Sequence, residues 1–329
     1  MVENKDIIEA RYGLKIFSIK PCRAGFVLET DKERKHLRSC QCSENRIIYV
    51  HEAKKHLLSR GFTNIDTYTT TLDEKPYIEI DGLIYVMTPY VDARECEFDD
   101  DTDTVRASTT LAHMHLAGNG FKPAEGIFVP SDLGKLPDNL KKRYDEIIRM
   151  RRKAERERGP FDYMYLNCVD KFIEIAEISL SLLDGVQHPR LIKQALLEGC
   201  ICHHDYSYQN ILIKGPTTYI TGFESCCEEI RIYDLVNLIR RKMRKCDWDF
   251  EKAVMLLGAY QKVAPLSSDE IHVMKAMLLF PQKFWRVANR YYNSRRSWAQ
   301  KNFTNMLEEV IDEYSVHVKF MKRYSELFS

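Results

Sequence analysis

The sequence has almost no net charge. Its 49 Lys and Arg residues face 48 Asp and Glu, a formal charge of +1, so nothing draws the whole chain to nucleic acid or to an anionic membrane. No apolar run approaches the ~20 residues that span a bilayer. The opening Met1-Val2-Glu3-Asn4-Lys5-Asp6 has no apolar h-region of a secretory signal. The expectation is a soluble chain, made and kept on the cytosolic side, with neither nucleic acid nor membrane among its partners. Internal repeats and low-complexity stretches are absent. The ten cysteines (Cys22, Cys40, Cys42, Cys96, Cys168, Cys200, Cys202, Cys226, Cys227 and Cys246) contain no C-x-x-C pair, and no His completes a zinc spacing. They read as buried or free thiols rather than as a metal or redox centre.

What is present is enough for a packed protein. With 44% hydrophobic residues in 329, global disorder is excluded, and the length suits two lobes better than one small core. The halves differ. Residues 13 to 88 read as strands: Leu14 to Ile19, Phe26 to Glu29, Thr67 to Thr71, Tyr77 to Ile80 and Leu83 to Met87, rich in β-branched and aromatic side chains. Pro21 and Gly25, Asp73-Glu74-Lys75-Pro76 and the hairpin signal Asp81-Gly82 separate them. One helix interrupts the series, capped by Ser43, lined by Ile47, Val50, Ala53, Leu57 and Leu58, and stopped at Gly61. From about residue 100 the pattern turns helical. Asp103 or Thr104 opens a helix carrying Ala107, Leu111, Met114 and His115 to Gly118. Others are expected at 136 to 158, 163 to 184, 231 to 245, 248 to 263 and 268 to 292, and a last one along Phe303, Met306, Leu307, Val310, Ile311, Tyr314, Val318 and Met321. Two short extended runs, Asn210 to Ile213 and Thr217 to Ile220, break this half.

The first of those runs ends, and the second follows, Cys202-His203-His204-Asp205-Tyr206-Ser207-Tyr208-Gln209-Asn210-Ile211-Leu212-Ile213, which contains H-x-D-x-x-x-x-N, the catalytic-loop spacing of kinases. The chemistry explains the spacing: an Asp accepts the proton of an attacking hydroxyl, and an Asn five residues on holds magnesium against the phosphates. Three fixed residues alone are a weak motif. The setting strengthens it, since the motif lies in a helical half, precedes a short apolar strand and follows a strand-rich lobe.

The sequence resembles the kinase-like spore coat proteins of the CotS type, whose fold is that of aminoglycoside and choline phosphotransferases. The resemblance spans nearly the whole chain. It rests on Tyr12-Gly13-Leu14, His56 to Phe62, Asp92-Ala93-Arg94-Glu95-Cys96, Leu111-Ala112-His113-Met114-His115 and Phe161 to Tyr165. It continues through Cys202 to Tyr206, Phe280 to Trp285 and Tyr291-Tyr292-Asn293-Ser294. It implies an α+β, two-lobed protein-kinase-like fold of the aminoglycoside phosphotransferase type, with residues 1–88 as a β-rich N-terminal lobe, 89–329 as a helical C-terminal lobe, and Asp205 and Asn210 in the cleft between them. By the same resemblance Asp205 takes the place of the catalytic base, His203 that of a loop-bracing histidine, Asn210 that of a magnesium ligand, and Asp234 that of the helix Asp tying down the loop. Thr88-Pro89-Tyr90-Val91 takes the place of the hinge that meets adenine.

Two departures stand against that pattern. At Ile220-Thr221-Gly222-Phe223-Glu224, Gly222 occupies the position of the metal-binding Asp. Glu224 is a doubtful substitute, because two residues displace a side chain by about 6.6 Å along a strand and magnesium demands near-octahedral geometry. Where the small lobe's phosphate-binding Lys is expected stands Arg38, whose planar fork is no equivalent of an ammonium; its acidic partner is expected in Glu44 or Glu52. The loop Lys20 to Phe26 has a single glycine, where protein kinases often have three.

Other features have plainer readings. Residues 141 to 158 hold nine basic and four acidic side chains, read as a solvated helix face ahead of a docking face for an acidic partner. The five acids among Glu97 to Asp103 suit a helix N-terminus. The 18 tyrosines, among them Tyr163, Tyr165, Tyr206, Tyr208, Tyr291 and Tyr292, read mostly as half-buried packing rather than cross-linking groups. Trp285 and Tyr291-Tyr292 read as helix packing ahead of an acceptor pocket, and His113 and His115 as core histidines. His204 has no third ligand spaced for a metal.

The resulting expectation is a coat component made in the mother-cell cytoplasm and placed in the spore coat. It works there as a binding and assembly module among other spore coat proteins, with a degenerate nucleotide-magnesium site. The alternative is an active phosphotransferase using ATP and Mg2+ on a hydroxyl of a small molecule, a sugar or a coat protein. A third reading keeps nucleotide binding without transfer.

Overall fold

The computed structural model describes residues 2–293 and 300–328. It divides into two compact units: residues 1–131 with 198–234 and 262–264, and residues 132–197 with 235–261 and 265–329. No helix among the described residues is long and apolar enough to cross a membrane.

The first unit is built on a five-stranded antiparallel sheet. After α1 (Lys5–Tyr12) come β1 (Ile16–Cys22), β2 (Gly25–Thr30), β3 (Lys35–Cys40), α2 (Glu44–Ser59), β4 (Ile78–Ile80) and β5 (Leu83–Pro89), ordered β1-β2-β3-β5-β4 in the sheet. Strand alternation sorts the side chains. Leu28, Leu37, Ile78, Ile80 and Met87 form one buried cluster, closed by Ile8 and Tyr12 of α1. His36 and Arg38, flanking Leu37 in β3, stand on the other face. The sequence did not announce α1, because a helix of 8 residues with two buried positions four apart leaves too short a period to read. Ser43 caps α2 as expected, its Oγ accepting from Arg46 N, and Asp81 and Gly82, both at positive φ, turn the β4–β5 hairpin.

Thr67 to Thr71 is a correction. The segment is no strand of the sheet: Thr69 N donates to Met87 O, beyond the stretch Leu83 to Tyr85 that β4 pairs, and no strand ladder forms there. The unit is completed by β6 (Arg94–Glu95), α3 (Asp101–Gly118) and the hairpin β7 (Ile211–Lys214) with β8 (Thr217–Ile220), a second sheet ordered β6-β7-β8. Asp100 rather than Asp103 or Thr104 caps α3, accepting from Asp103 N, while the buried Asp103 grips Arg94 at 2.5 and 2.8 Å. His115 is buried in the core as expected. His113 is exposed, since a residue two positions away lies on another face of the helix.

The second unit is helical: α4 (Leu136–Glu157), α5 (Pro160–Ser181), α6 (Gln187–Glu198), α7 (Ile232–Met243), α8 (Phe250–Gln261), α9 (Ser268–Leu279), α10 (Gln282–Asn293) and α11 (Gln300–Leu327). The unit boundary crosses α7 after Asp234. The single helix expected over 268 to 292 is two. Phe280 leaves helical geometry (φ −57°, ψ 129°), as residues before proline do, and Pro281 has no N–H to continue the ladder. Ser294 lies outside the described residues. Aromatic rings fill this unit: Phe284 stacks on Phe172 (4.0 Å) and Tyr165 (5.1 Å), and Tyr291 on Phe161 (3.9 Å). Tyr292 donates to the buried Asp162, and Trp285 to Glu146. These are the helix contacts the spacing predicts. On α4, Lys141, Arg149, Arg151 and Lys153 pair with neighbouring acids at the surface. Among the described residues no disulfide joins any of the ten cysteines.

Candidate functional site

The kinase-like loop lies in the first unit and is held from several sides. Cys202 and Cys227 exchange two backbone hydrogen bonds. Tyr206, fully buried, donates its hydroxyl to Ala107 O of α3 (2.8 Å). The buried Asp234 accepts from the backbone N–H groups of His203 (2.7 Å) and His204 (2.8 Å), with His115 Nε2 3.3 Å away. Burial alone would raise the Asp234 carboxyl, but the His115 contact, the His203 imidazole and the backbone donor hold it below the ordinary range. His203 is fixed in one tautomer by its surroundings: a carbonyl can only accept, so Nε2 donates to Thr221 O (2.8 Å), and Nδ1 accepts from Asp205 N (3.2 Å). Asn210 Nδ2 donates to Asp205 O (2.9 Å) and Oδ2 (3.1 Å). His203, Asp205, Asn210 and Asp234, placed from the sequence, are thus brought together.

Beside the loop, Gly222 sits at φ +75°, the left-handed region. A Cβ added there would lie 2.4 Å from Asn210 Oδ1. The amide of Asn210 therefore occupies the space that a side chain at position 222 would need.

Two residues on, Glu224 is engaged. Its carboxylate accepts a short hydrogen bond from Arg38 of β3 and another from Tyr68 (3.1 Å), while its carbonyl accepts from Arg46 Nε (2.7 Å). Burial raises the carboxyl, and the Arg38 charge and hydrogen bond outweigh it, so its pKa falls to about 2. Arg38 also reaches Asp66 Oδ2 (3.4 Å), which accepts from Gly222 N (3.3 Å). Burial opposes the Arg38 charge, yet Glu224 and Asp66 keep its pKa above the ordinary value. Behind them Lys54 of α2 is 1% exposed; its Nζ lies 2.6 Å from Asp66 O and 2.8 Å from Asp66 Oδ1, over the Tyr68 ring at 3.9 Å. Burial lowers its pKa against the pull of Asp66 and Glu224.

The acid that pairs with Arg38 is thus Glu224, with Asp66, and neither Glu44 nor Glu52. Glu44 takes the Tyr77 hydroxyl, and Glu52 pairs with Lys55 (3.0 Å) near the surface. The reason is on α2, whose buried face presents a cation, Lys54, so the carboxylates come from elsewhere. The hinge segment borders the same cleft, of about 280 Å³, together with Cys22, His36, Arg38, Asn210 and Gly222. Thr88 pairs with His36 across the sheet, Tyr90 N already donates to Arg34 O (2.9 Å), and Pro89 has no N–H to offer.

Asp66, Lys54 and Tyr68 were not singled out from the sequence. Lys54 left a readable trace: it falls four residues after Val50 on the helix's apolar stripe, and a lysine on a buried face demands a partner.

The order of sheet, helix, hairpin and loop is that of the aminoglycoside phosphotransferases. An aminoglycoside phosphotransferase from Alicyclobacillus acidocaldarius superposes with a TM-score of 0.86 at 20% identity, covering 95% of this chain and 92% of that one. A spectinomycin phosphotransferase solved with ADP and spectinomycin gives a TM-score of 0.66 at 10% identity, covering 97% and 98%. At these identities the likeness is one of fold, and it bears out the kinase-like α+β class. Residues 5–324 match the family described as "Spore coat putative kinase YutH", and the chain belongs to that family. It is similar to spore coat protein S of Bacillus subtilis, 23% identical over 314 residues, 94% of this chain and 89% of that protein.

Proposed function

We propose that the protein is a spore coat component that works as a binding and assembly module among other coat proteins, its kinase-like cleft degenerate toward magnesium-nucleotide. In this reading it is made in the mother cell and carried into the coat; the family and the similarity to spore coat protein S support that destination.

The observation that carries the degenerate reading is the Arg38–Glu224 pair beside Gly222. A magnesium-nucleotide needs carboxylate oxygen and a cation free for phosphate. Position 222 offers no carboxylate, its space is filled by Asn210, and Glu224 is held by Arg38 and Tyr68. Arg38 and Lys54 are both paired, with Glu224 and Asp66. The donor set does not fit the group.

One observation favours the second reading, an active ATP-dependent phosphotransferase on a small molecule, sugar or coat protein: the Asp205 loop keeps every brace a base would need, His203, Asn210 and Asp234. Thermal unfolding with ATP, with and without magnesium, separates the two. A ligand at a hundred times its dissociation constant stabilises by roughly 2.7 kcal/mol. The module reading expects no magnesium-dependent shift, and normal coat assembly in Asp205→Asn. A magnesium-dependent shift together with turnover lost in Asp205→Asn overturns it in favour of the enzyme.

A further inference from the structure

Nine of the ten cysteines are buried or half-buried; Cys22 is exposed. It closes β1, and the two-residue turn Arg23-Ala24 returns the chain at Gly25. Gly25 has φ +148°, and a Cβ there would lie 2.3 Å from Leu37 O and 3.0 Å from Arg38 Cα. Only a residue without a side chain lets the hairpin tip lie this close on β3. Cys22 Sγ lies 3.6 Å from His36 Nε2, and both residues border the cleft described above.

We propose that Cys22 and His36 form a thiol-exchange site, with Cys22 the nucleophile and His36 its proton acceptor, taking a low-molecular-weight disulfide into the cleft. The step balances without a further oxidant. The Cys22 Sγ–H proton passes to His36 Nε2, sulfur attacks one sulfur of the incoming disulfide, a new S–S bond forms to Cys22, and the other half leaves as thiolate, which takes up the proton. Both residues border the cleft, so the disulfide proposed is one small enough to enter it. His36 is in the right state to accept. Burial first, then the Arg38 charge, lower its pKa below the ordinary 6.5, against weaker opposing pulls from Asp66 and Glu224, so it is neutral at pH 7. The proposal does not depend on how the cleft treats nucleotide. Modification of Cys22 at the cleft wall is a covalent way of filling the same space.

The test uses the full chain and hydroxyethyl disulfide at pH 7, with the adduct read by intact mass and peptide mapping. The first adduct is expected on Cys22 and is absent in Cys22→Ser. The rate is expected to fall about 10-fold in His36→Ala and to be restored by added imidazole, which a merely structural role of His36 would not produce. First reaction at another cysteine, or an unchanged rate in a folded His36→Ala, overturns the proposal. If His36→Ala does not fold, His36→Gln is measured by the same two criteria.

Discussion

Replacing Glu224 by glutamine keeps a hydrogen-bond acceptor for Arg38 and removes the charge. The size of the loss follows from the site. Arg38 and its neighbours hold the Glu224 pKa at about 2 against an ordinary 4.5, and each pKa unit corresponds to 1.36 kcal/mol. The side chain is 23% exposed, so solvent screening is modest. The charged form therefore contributes roughly 3 kcal/mol to the folded state at neutral pH. Because the folded pKa is depressed, this stability is present above the unfolded value and is lost as pH falls from about 4.5 toward 2. Urea unfolding of wild type and Glu224→Gln, run from pH 6 down to pH 2.5, isolates the effect, because every other carboxylate titrates in both. The gap between the two proteins should be about 3 kcal/mol at pH 6 and should close progressively with acid. A gap below 1 kcal/mol at pH 6, or one that does not change with pH, would refute the assignment of Glu224 to Arg38.

Asp66→Ala strands Lys54 as a buried cation and should cost about 3–5 kcal/mol, whereas Lys54→Met leaves Asp66 with Arg38 and Gly222 N and should cost clearly less; equal losses in chemical denaturation would contradict the described pairing. Asp234→Asn can accept only one of the two N–H groups of His203 and His204, so a loss of about 1–3 kcal/mol is expected, with faster amide exchange at those two residues as the local signature. Gly222→Asp must displace the Asn210 amide and place a side chain at φ +75°, so it should be less stable than wild type by about 1–3 kcal/mol; a neutral thermal melt would mean that Asn210 yields freely.

Period and turn chemistry make much of this fold readable in the sequence. Ser43 and the stripe Ile47, Val50, Ala53 and Leu57 placed α2, and Asp81-Gly82 placed a hairpin, because caps and tight turns depend on neighbours in sequence. Thr67 to Thr71 reads as a strand because its residues are β-branched and aromatic, but that preference reflects packing on a pleated surface and does not by itself make a ladder. The helix expected over 268 to 292 failed where one proline outweighed an otherwise unbroken period. Within the site, the motif located Asp205 and Asn210, since their spacing is local. The partner of Arg38 was hidden. Glu224 is 186 residues away, and no local pattern shows which of many acids returns to a given strand.

The fit between Gly222 and Asn210 bears on how this cleft can change with descent. A carboxylate restored at 222 meets the Asn210 amide, and freeing Glu224 from Arg38 leaves a desolvated anion. A change at 222 alone, or at 38 alone, is therefore expected to lower stability. The geometry couples these positions in pairs: a change at 222 bears on 210, and a change at 38 bears on 224.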